Sequence, residues 1–204
     1  MYKVPYFTET DEAKVLEMME RNPFAIITGI LNGFPVAAHI PLEIEKRDGT
    51  LILKGHIMKE TDHYKAFMQN DNVLVIFTGP NCYVSASWYV TKNIASTWNY
   101  MDVYIKGKVK FTDAEGTKKI LESTTNKYEK PGSDAGYNKM SIEYVNRMAE
   151  AIVGLHIEVE SMENVFKLSQ NRDEISKQQI IENLRKSDDF FTREIAREMA
   201  LRKI

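Results

Sequence analysis

The sequence predicts a mainly β protein of the α+β class, a closed or partly closed β-barrel with peripheral helices and a helical C-terminal tail. Short β-rich segments with alternating polarity, hairpin signals between several of them, and a charged helical pattern after residue 172 support this prediction. The chain has 204 residues, of which 43% are apolar and 27% are charged, and such a chain can bury a sizeable core.

The first half of the chain predicts a helix followed by an antiparallel meander. Thr10 is expected to cap a helix that extends to Arg21. Strands are predicted at residues 24–30, 35–45 and 51–57, because β-branched residues are frequent there. Asn32-Gly33 and Asp48-Gly49 separate these strands, and both pairs are strong hairpin signals.

The second half predicts more strands and several helices. Thr61 is expected to cap a short helix that ends at Phe67. Strands are predicted at residues 73–79, 83–89, 98–111 and 155–159, with Gly107 marking a bulge or a tight bend. Helices are predicted at residues 113–130 and 141–151. We expect residues 1–170 to form the barrel domain and residues 171–204 a helical extension that packs on the barrel or on a partner subunit.

Composition excludes several classes of function. The formal net charge is -2, which argues against a phosphate-dominated nucleic-acid interface. Cys82 is the single cysteine, so no intramolecular disulfide forms, and the absence of a signal peptide or an apolar span predicts a cytoplasmic protein. The four histidines have no metal-ligand spacing, and we expect no metal site; His156 is predicted to be a surface residue.

The segment from Gly79 to Tyr100 is the first candidate site. It contains both tryptophans, three tyrosines and many hydroxyl and amide side chains. Rings that stack on a planar heteroaromatic ligand and small donors that bind its edge would use these residue types. The alternative is that Trp88 and Trp98 only close a barrel end or a subunit interface.

Two further segments are candidates. Gly55 to Lys65 places Lys59, His63 and Lys65 near the start of a helix, where free N–H groups could bind phosphate. The alternative there is a solvated helix start in which the lysines pair with acidic neighbours. The segment KLSQNR (167–172) either caps the helix that follows it or reaches a site near the barrel rim.

Several motifs together resemble one family. AAHIPL (37–42), LKGHI (53–57), GPNCYVSASWY (79–89), STWNY (96–100) and IVGLHIEVE with KLSQNR (152–172) are similar to the motifs of the PaiB family. Its members are FMN-binding split β-barrel proteins of the flavin reductase and pyridoxamine-phosphate-oxidase-like type. The resemblance covers nearly the whole chain.

The resemblance implies an FMN-binding homodimer with the flavin in a groove that both subunits build. Founding members of the family are described as negative transcriptional regulators of sporulation and of degradative-enzyme synthesis. The cofactor-binding residues that we predict, partly from the motifs and partly from residue chemistry, are His39, Pro41, His56, Lys59, His63, Lys65, Ser85, Ser87, Trp88, Thr97, Trp98, Asn99 and Arg172.

This chain departs from the family pattern at several positions. The Asn-Pro-Gln-Trp that commonly follows the Gly-His motif is replaced by residues 61–64, Thr-Asp-His-Tyr. Ala86 stands where many members have proline, and Asn81 stands where many have histidine. The first departure falls in the predicted phosphate segment, so the phosphate contacts transfer least well.

Three functions remain open from the sequence. The first is an FMN-binding protein with a flavin-dependent redox role, for which no catalytic residue is assigned. The second is a transcriptional regulator, although residues 173–204 have seven basic and seven acidic residues and direct nucleic-acid binding is not expected. The third is a split barrel that binds haem, or no cofactor.

Overall fold

The computed structural model describes residues 4–202, so Lys203 and Ile204 of the predicted extension lie outside the described residues. In this range the strands are β1 (Phe24–Leu31), β2 (Phe34–Pro41), β3 (Glu43–Arg47), β4 (Thr50–Met58), β5 (Asn72–Val84), β6 (Thr97–Phe111) and β7 (Ile152–Lys167). The helices are α1 (Glu12–Arg21), α2 (Asp62–Gln69), α3 (Ala114–Tyr128), α4 (Ile142–Ala151), α5 (Glu174–Arg185) and α6 (Phe190–Leu201).

The strands form one seven-stranded sheet in the order β2-β1-β5-β6-β7-β4-β3. Antiparallel registers join β1 to β2 and β5, and β4 to β3 and β7. The α+β architecture that the sequence predicts, with peripheral helices and a helical tail, is confirmed. No helix in the described range is long and apolar enough to cross a membrane.

Both predicted hairpin turns are confirmed, but the strand between them is not continuous. Asn32 and Gly33 have φ of 51° and 80°, and Asp48 and Gly49 have 49° and 81°, as two-residue primed turns require. The predicted strand 35–45 divides at Leu42, whose N–H donates to Pro23 O at 2.9 Å. Its two halves, β2 and β3, lie at opposite edges of the sheet. The prediction of one continuous antiparallel meander was therefore wrong, although each of the two hairpins forms as predicted.

The predicted strand 83–89 is also corrected. Extended pairing ends at Val84, and a short 3-10 helix covers Ala86–Trp88. Ser85 starts this helix, because its Oγ accepts a hydrogen bond from Ser87 N at 3.2 Å. A serine that bonds to the backbone two residues ahead favours a turn over a strand. The β-rich composition of the segment hid this local signal.

Side-chain caps define the helix starts. Thr61 caps α2 as predicted, with Oγ1 accepting from Tyr64 N at 3.3 Å. The predicted cap of the first helix was wrong by one residue, since Asp11 and not Thr10 accepts from Ala13 N at 3.1 Å. Asp11 takes the N-cap position because its carboxylate is a strong acceptor at the positive end of the helix.

The described residues group into two compact units, and each is considered separately. The second unit comprises residues 23–77 and 104–162. Gly107 lies there at a close approach of two strands, because a Cβ at this position would collide with the Glu158 carbonyl oxygen. His156 also lies in this unit, half-buried, and its pKa is lowered by burial and by the cations Arg47 and Lys54.

Of the described residues, the first unit comprises 4–22, 78–103 and 163–202. Ion pairs hold α6 against α1, since Arg21 contacts Glu198 at 2.8 Å and Glu194 at 2.5 Å. Arg202 pairs with Glu9 in the same unit. The division of the chain at residue 170 stays a prediction.

Candidate functional site

The predicted site residues fall into two sets. Ser85, Ser87, Trp88, Thr97, Trp98, Asn99 and Arg172 belong to the first unit, and His39, Pro41, His56, Lys59, His63 and Lys65 belong to the second. Within each unit the structure shows which side chains meet and which of them are already engaged.

The turn after β7 presents two cations. Lys167 is the last residue of β7, and Arg172 follows five residues later, with its N–H donating to Ser169 O at 3.0 Å. Gln170 closes the turn from its side chain: Oε1 accepts from Leu168 N at 2.7 Å and Nε2 donates to Phe166 O at 2.5 Å. The alternative that the side chains of KLSQNR cap the following helix was wrong, because the next residue, Asp173, caps α5 by accepting from Ser176 N at 2.9 Å.

Lys167 and Arg172 line one cavity of about 290 Å³, which we call the cation cavity. The lining residues are Tyr6, Phe7, Ala95, Ser96, Thr97, Lys167, Ser169, Asn171 and Arg172. No carboxylate is among these described residues, and neither cation forms an ion pair within residues 4–202. A cavity with two cations, hydroxyl groups and no acid is suited to an anion.

Each cation is held by a neutral neighbour. Lys167 Nζ donates to Thr97 Oγ1 at 2.5 Å, and the Arg172 guanidinium lies over the Tyr89 ring at 4.3 Å. Burial and the positive charge of Arg172 lower the pKa of Lys167. Burial also raises the pKa of Tyr89, and the Arg172 charge opposes that rise. The two like charges therefore repel each other until an anion neutralises them.

A second cavity in the first unit differs in charge balance. It has a volume of about 290 Å³ and lies between α1 and α6. Its cation Arg21 is paired with Glu194 and Glu198, and Arg202 is paired with Glu198. Its two arginines are thus paired with carboxylates, whereas Lys167 and Arg172 in the cation cavity are not.

Two aromatic residues of the first unit, Tyr83 and Trp98, form an exposed surface that we call the aromatic wall. Trp98 is 55% exposed and packs edge-on against Tyr83, with ring centroids 6.2 Å apart. Trp88 is half-buried at the end of the 3-10 helix. Large apolar rings that remain this exposed are available to stack on a planar ligand.

Three serines, Ser85, Ser87 and Ser96, are close in the sequence to the residues of the aromatic wall. Ser85 Oγ and Ser87 Oγ are 2.8 Å apart, and Ser87 is exposed. Ser96 Oγ accepts from Ala86 N at 2.9 Å and so ties the 3-10 helix to the start of β6. Asn99 behaves differently, because it is fully buried and its Oδ1 accepts from Ser169 Oγ at 3.1 Å.

Two predicted site histidines of the second unit, His39 and His56, lie on different strands, β2 and β4. His39 is exposed on β2 and stacks on Phe24, with centroids 5.6 Å apart; Pro41, half-buried, ends the same strand. His56 is half-buried on β4, and its Nδ1 has no hydrogen-bond partner among the described atoms. Burial lowers the pKa of His56, so its neutral form is favoured.

The cations of Gly55–Lys65 are already engaged. Lys59 Nζ donates to Glu150 O at 2.9 Å at the end of α4. Lys65 is exposed and lies 4.0 Å from Glu60, and His63 Nε2 is 3.1 Å from Thr61 Oγ1. Burial lowers the pKa of His63, so its charged form is disfavoured. Lys65 beside Glu60 agrees with the alternative that the lysines pair with acidic neighbours, whereas Lys59 contacts a backbone carbonyl instead. The assignment of phosphate to this segment stays a prediction.

Sequence reasoning named Arg172 as a site residue but did not name Lys167, Ser96 or Ser169. Lys167 and Ser169 stand in the KLSQNR segment that was already singled out, and two cations five residues apart across a short turn were the available signal. No group of histidine, cysteine, aspartate or glutamate among residues 4–202 could hold a metal ion.

Comparison with known proteins gives the family. Residues 1–161 match the family described as "Putative FMN-binding domain". The chain is 32% identical over 190 residues to "Protease synthase and sporulation protein PAI 2" of Bacillus subtilis (strain 168), which covers 93% of this chain and 91% of that protein.

Solved structures share the fold. A FAD- and haem-binding protein from Mycobacterium smegmatis superimposes with a TM-score of 0.61 at 16% identity, over 79% of this chain and 73% of that chain. The flavocytochrome Anf3 from Azotobacter vinelandii also has a TM-score of 0.61, at 14% identity, over 79% of this chain and 69% of that chain. At such low identity the likeness shows the fold alone.

Fold and family match together define a split-barrel flavoprotein. This chain belongs to the PaiB family of FMN-binding split-barrel proteins, and its cofactor is FMN. The donor set of the first unit fits this cofactor, because it combines exposed rings, hydroxyl groups and two cations that lack an acidic partner among the described residues.

Proposed function

We propose that the first unit binds FMN, with the phosphate in the cation cavity and the ring system against the aromatic wall of a second copy of the chain. The observation that supports this most is the convergence of Lys167 and Arg172 on one cavity whose described lining contains no carboxylate. A phosphate monoester near neutral pH carries a charge of about -1.5 to -2, so two cations balance it.

Thr97 and Ser96 supply the hydroxyl groups of this phosphate site. Both line the cation cavity, and hydroxyl groups donate to phosphate oxygens without adding charge. Ser169 also lines the cavity, but its hydroxyl proton is already donated to Asn99 Oδ1. Lys59, His63 and Lys65 remain a second proposal for the phosphate. Their side chains are engaged within the second unit, so a phosphate there would have to displace existing contacts.

The orientation of Trp98 favours a homodimer with flavin at the interface. Side chains alternate between the two faces of a strand, so Thr97 and Asn99 point to one face of β6 and Trp98 to the other. Thr97 lines the cation cavity, whereas Trp98 is exposed. We therefore propose that Trp98 contacts the flavin that a second copy of the chain binds.

We further propose a flavin-dependent redox role. FMN supplies the hydride or electron chemistry, and this chain's residues bind and orient the ring. His39 is exposed and His56 favours its neutral form. We assign no general acid or base among them, and the reaction relies on positioning.

Any regulatory role is proposed to be indirect, through the redox state of the flavin or through a protein partner in the cytoplasm. Helices α5 and α6 carry acidic side chains among their basic ones, for example in the pairs Lys177–Glu174 and Arg197–Glu194. Balanced charge of this kind does not favour phosphate contacts along a nucleic acid. Sequence-specific DNA binding by the pure protein at physiological salt would contradict this part of the proposal.

The visible spectrum of freshly purified protein is the first test. The two absorption bands of oxidised flavin are expected, whereas a single intense Soret band would identify a haem protein. Titration of the cofactor-free protein with FMN and with riboflavin then measures what the phosphate contributes. FMN is expected to bind about 100-fold more tightly or better, because two charge-assisted contacts contribute about 1.5–3 kcal/mol each. Equal affinities would contradict the phosphate assignment.

The redox role has its own test. Reduced nicotinamide dinucleotide, added to the FMN-loaded protein in the absence of oxygen, should remove the absorption band that oxidised flavin has in the blue region of the spectrum. Admission of air should restore the band if the bound flavin passes its electrons on. A flavin that stays oxidised with both reduced nicotinamides would leave FMN binding intact and contradict reduction by this class of donor.

A further inference from the structure

We propose that the buried pair Asn99–Ser169 is a positioning device that holds Lys167 and Arg172 towards a phosphate, and thereby makes the site selective for FMN over riboflavin. This inference rests on the proposed location of the phosphate in the cation cavity. It assigns Asn99, which the motifs suggest as a direct flavin contact, a role that acts through Ser169.

Ser169 occupies an unfavourable backbone conformation. Its φ is +64°, in the left-handed region that residues with a Cβ adopt at an energetic cost. It is also 2% exposed, so neither solvent nor an open loop explains the conformation. Such a residue persists where surrounding contacts hold it, and positions of this kind are frequent at ligand sites.

The hydrogen bond to Asn99 is one of those contacts. Ser169 Oγ donates to Asn99 Oδ1 at 3.1 Å, and both side chains are buried. Asn99 Nδ2 has a weaker partner, Met199 Sδ at 3.7 Å. Because its polar atoms are used inside the protein and its exposure is 0%, Asn99 contacts no ligand directly.

Strand β6 holds the turn at two positions on one face. Thr97 and Asn99 are two residues apart, so their side chains point the same way. Thr97 accepts from Lys167 Nζ at 2.5 Å, and Asn99 accepts from Ser169 Oγ. The first contact places the ammonium group, and the second fixes the backbone from which it extends.

Arg172 depends on the same turn from the other side. Its backbone N–H donates to Ser169 O at 3.0 Å, and its guanidinium group stacks on the buried Tyr89 ring. The separation of the two cations is therefore set by the conformation of Ser169. Loss of the buried hydrogen bond would let the turn relax and would move both cations from the phosphate, while the aromatic wall keeps its place.

The test compares FMN with riboflavin in Asn99→Leu, Ser169→Ala and the double variant. Each single variant is expected to raise the Kd for FMN about tenfold, the effect of losing one well-placed charged contact, while the Kd for riboflavin stays unchanged. Since the two residues act as one unit, the double variant should resemble either single variant and not their sum. Ser169→Gly adopts the left-handed conformation freely but lacks the hydroxyl group, and it should also lose affinity for FMN.

Met199→Leu is the matched control. It removes the sulfur contact to Asn99 and keeps volume and the bond to Ser169, so FMN and riboflavin affinities should both stay at the wild-type values. A parallel loss of FMN and riboflavin affinity in the pair variants would show a merely structural role and overturn the proposal. Unchanged FMN affinity in Ser169→Ala would overturn it as well, even if Asn99→Leu fails to fold.

A variant that lacks both cations distinguishes failure of this inference from failure of the proposed function. If Lys167→Met with Arg172→Met loses the preference for FMN and the pair variants do not, only the positioning role is wrong. If the cation variant keeps that preference, the phosphate binds elsewhere, and both the site assignment and the inference drawn from it fail.

Discussion

Two groups of cations in this protein contain similar residue types but differ in the polar groups that surround them. Lys59 and Lys65 follow a strand and flank the start of α2, where one donates to the carbonyl of Glu150 and the other lies near Glu60. Lys167 and Arg172 flank a turn after β7, where they contact a threonine and an aromatic ring. The second pair shares one cavity whose described lining contains no carboxylate, whereas the first pair has Glu60 beside Lys65.

The difference shows what makes a basic residue available for binding. A cation that caps a helix or faces a carboxylate contributes to local structure, and a ligand must compete with that contact. Two cations held together by neutral groups destabilise each other, so an anion that joins them removes a repulsion as well as forming new bonds. Four predictions follow from this contrast, beginning with the largest effect.

Replacing both free cations should have the largest effect on FMN affinity. Lys167→Met with Arg172→Met is expected to raise the Kd for FMN about 100-fold or more, because each contact to the phosphate contributes about 1.5–3 kcal/mol. Lys59→Met with Lys65→Met should leave the Kd close to wild type. Fluorescence titration of cofactor-free protein measures both, and a reversed order of the two variants would place the phosphate in the second unit.

Removing the exposed tryptophan should weaken ring binding and not phosphate binding. Trp98→Ala is expected to raise the Kd for FMN and for riboflavin equally, by about tenfold, since stacking on an aromatic ring contributes about 1–3 kcal/mol. Thermal stability should hardly change, because the ring is 55% exposed. If FMN affinity alone falls, Trp98 acts on the phosphate and the separation of the two subsites is wrong.

The affinity for FMN should fall in alkaline solution, at a lower pH than the ordinary pKa of a lysine would give. The pKa of Lys167 is lowered by burial and by Arg172, and phosphate binding needs its charged form. As the pH rises through this lowered pKa, the cofactor-free protein loses the charge and the Kd for FMN increases. Riboflavin affinity measured over the same pH range is the control. Lys167→Arg should keep FMN binding constant over this range, and a pH-dependence that survives in this variant belongs to another group.

Opposite signs of stability change should distinguish the two groups in the absence of cofactor. Lys59→Met is expected to lower the free energy of unfolding by about 0.3–1 kcal/mol, because a cation at the carboxyl end of α4 is lost. Lys167→Met should raise it slightly, by roughly 0.5 kcal/mol or less, since it removes a repelled charge.

Urea unfolding of cofactor-free protein at several pH values measures this difference. Because the pKa of Lys167 is lower in the folded than in the unfolded state, the unfolded chain binds more protons between the two values. The stability of the wild type should therefore rise with pH in that interval, and Lys167→Met should lack the rise. A destabilised Lys167→Met would mean that the lysine supports the fold.

Local signals in the sequence predicted much of the fold. Asn32-Gly33 and Asp48-Gly49 specify their turns by themselves, because both residues of each pair adopt positive φ. Thr61 caps its helix through a bond to a residue three positions ahead. These features need only neighbouring residues. The division at Leu42 was missed, because β2 and β3 belong to different edges of the sheet and only distant strands decide that.

The site was predictable in kind but not in detail. The tryptophans and serines of residues 79–100 indicated a planar ligand, and Trp98 is indeed exposed. Asn99, its neighbour, was also taken as a contact, but it is buried because alternate side chains on β6 face opposite ways. Lys167 was not chosen, since a sequence does not show which of its cations has found an acidic partner.

The sequence by itself determined the residue types, the family motifs, the hairpin turns and the helix caps, all of which depend on short-range chemistry. The tertiary structure decided which polar groups surround each cation. Lys59 finds a carbonyl ninety-one positions away, whereas Lys167 finds the hydroxyl group of Thr97 seventy positions away and no carboxylate among the described residues. Coulomb interactions and hydrogen bonds act over a few ångströms of space, so contacts distant in the chain decide whether a cation supports the fold or remains available to an anion.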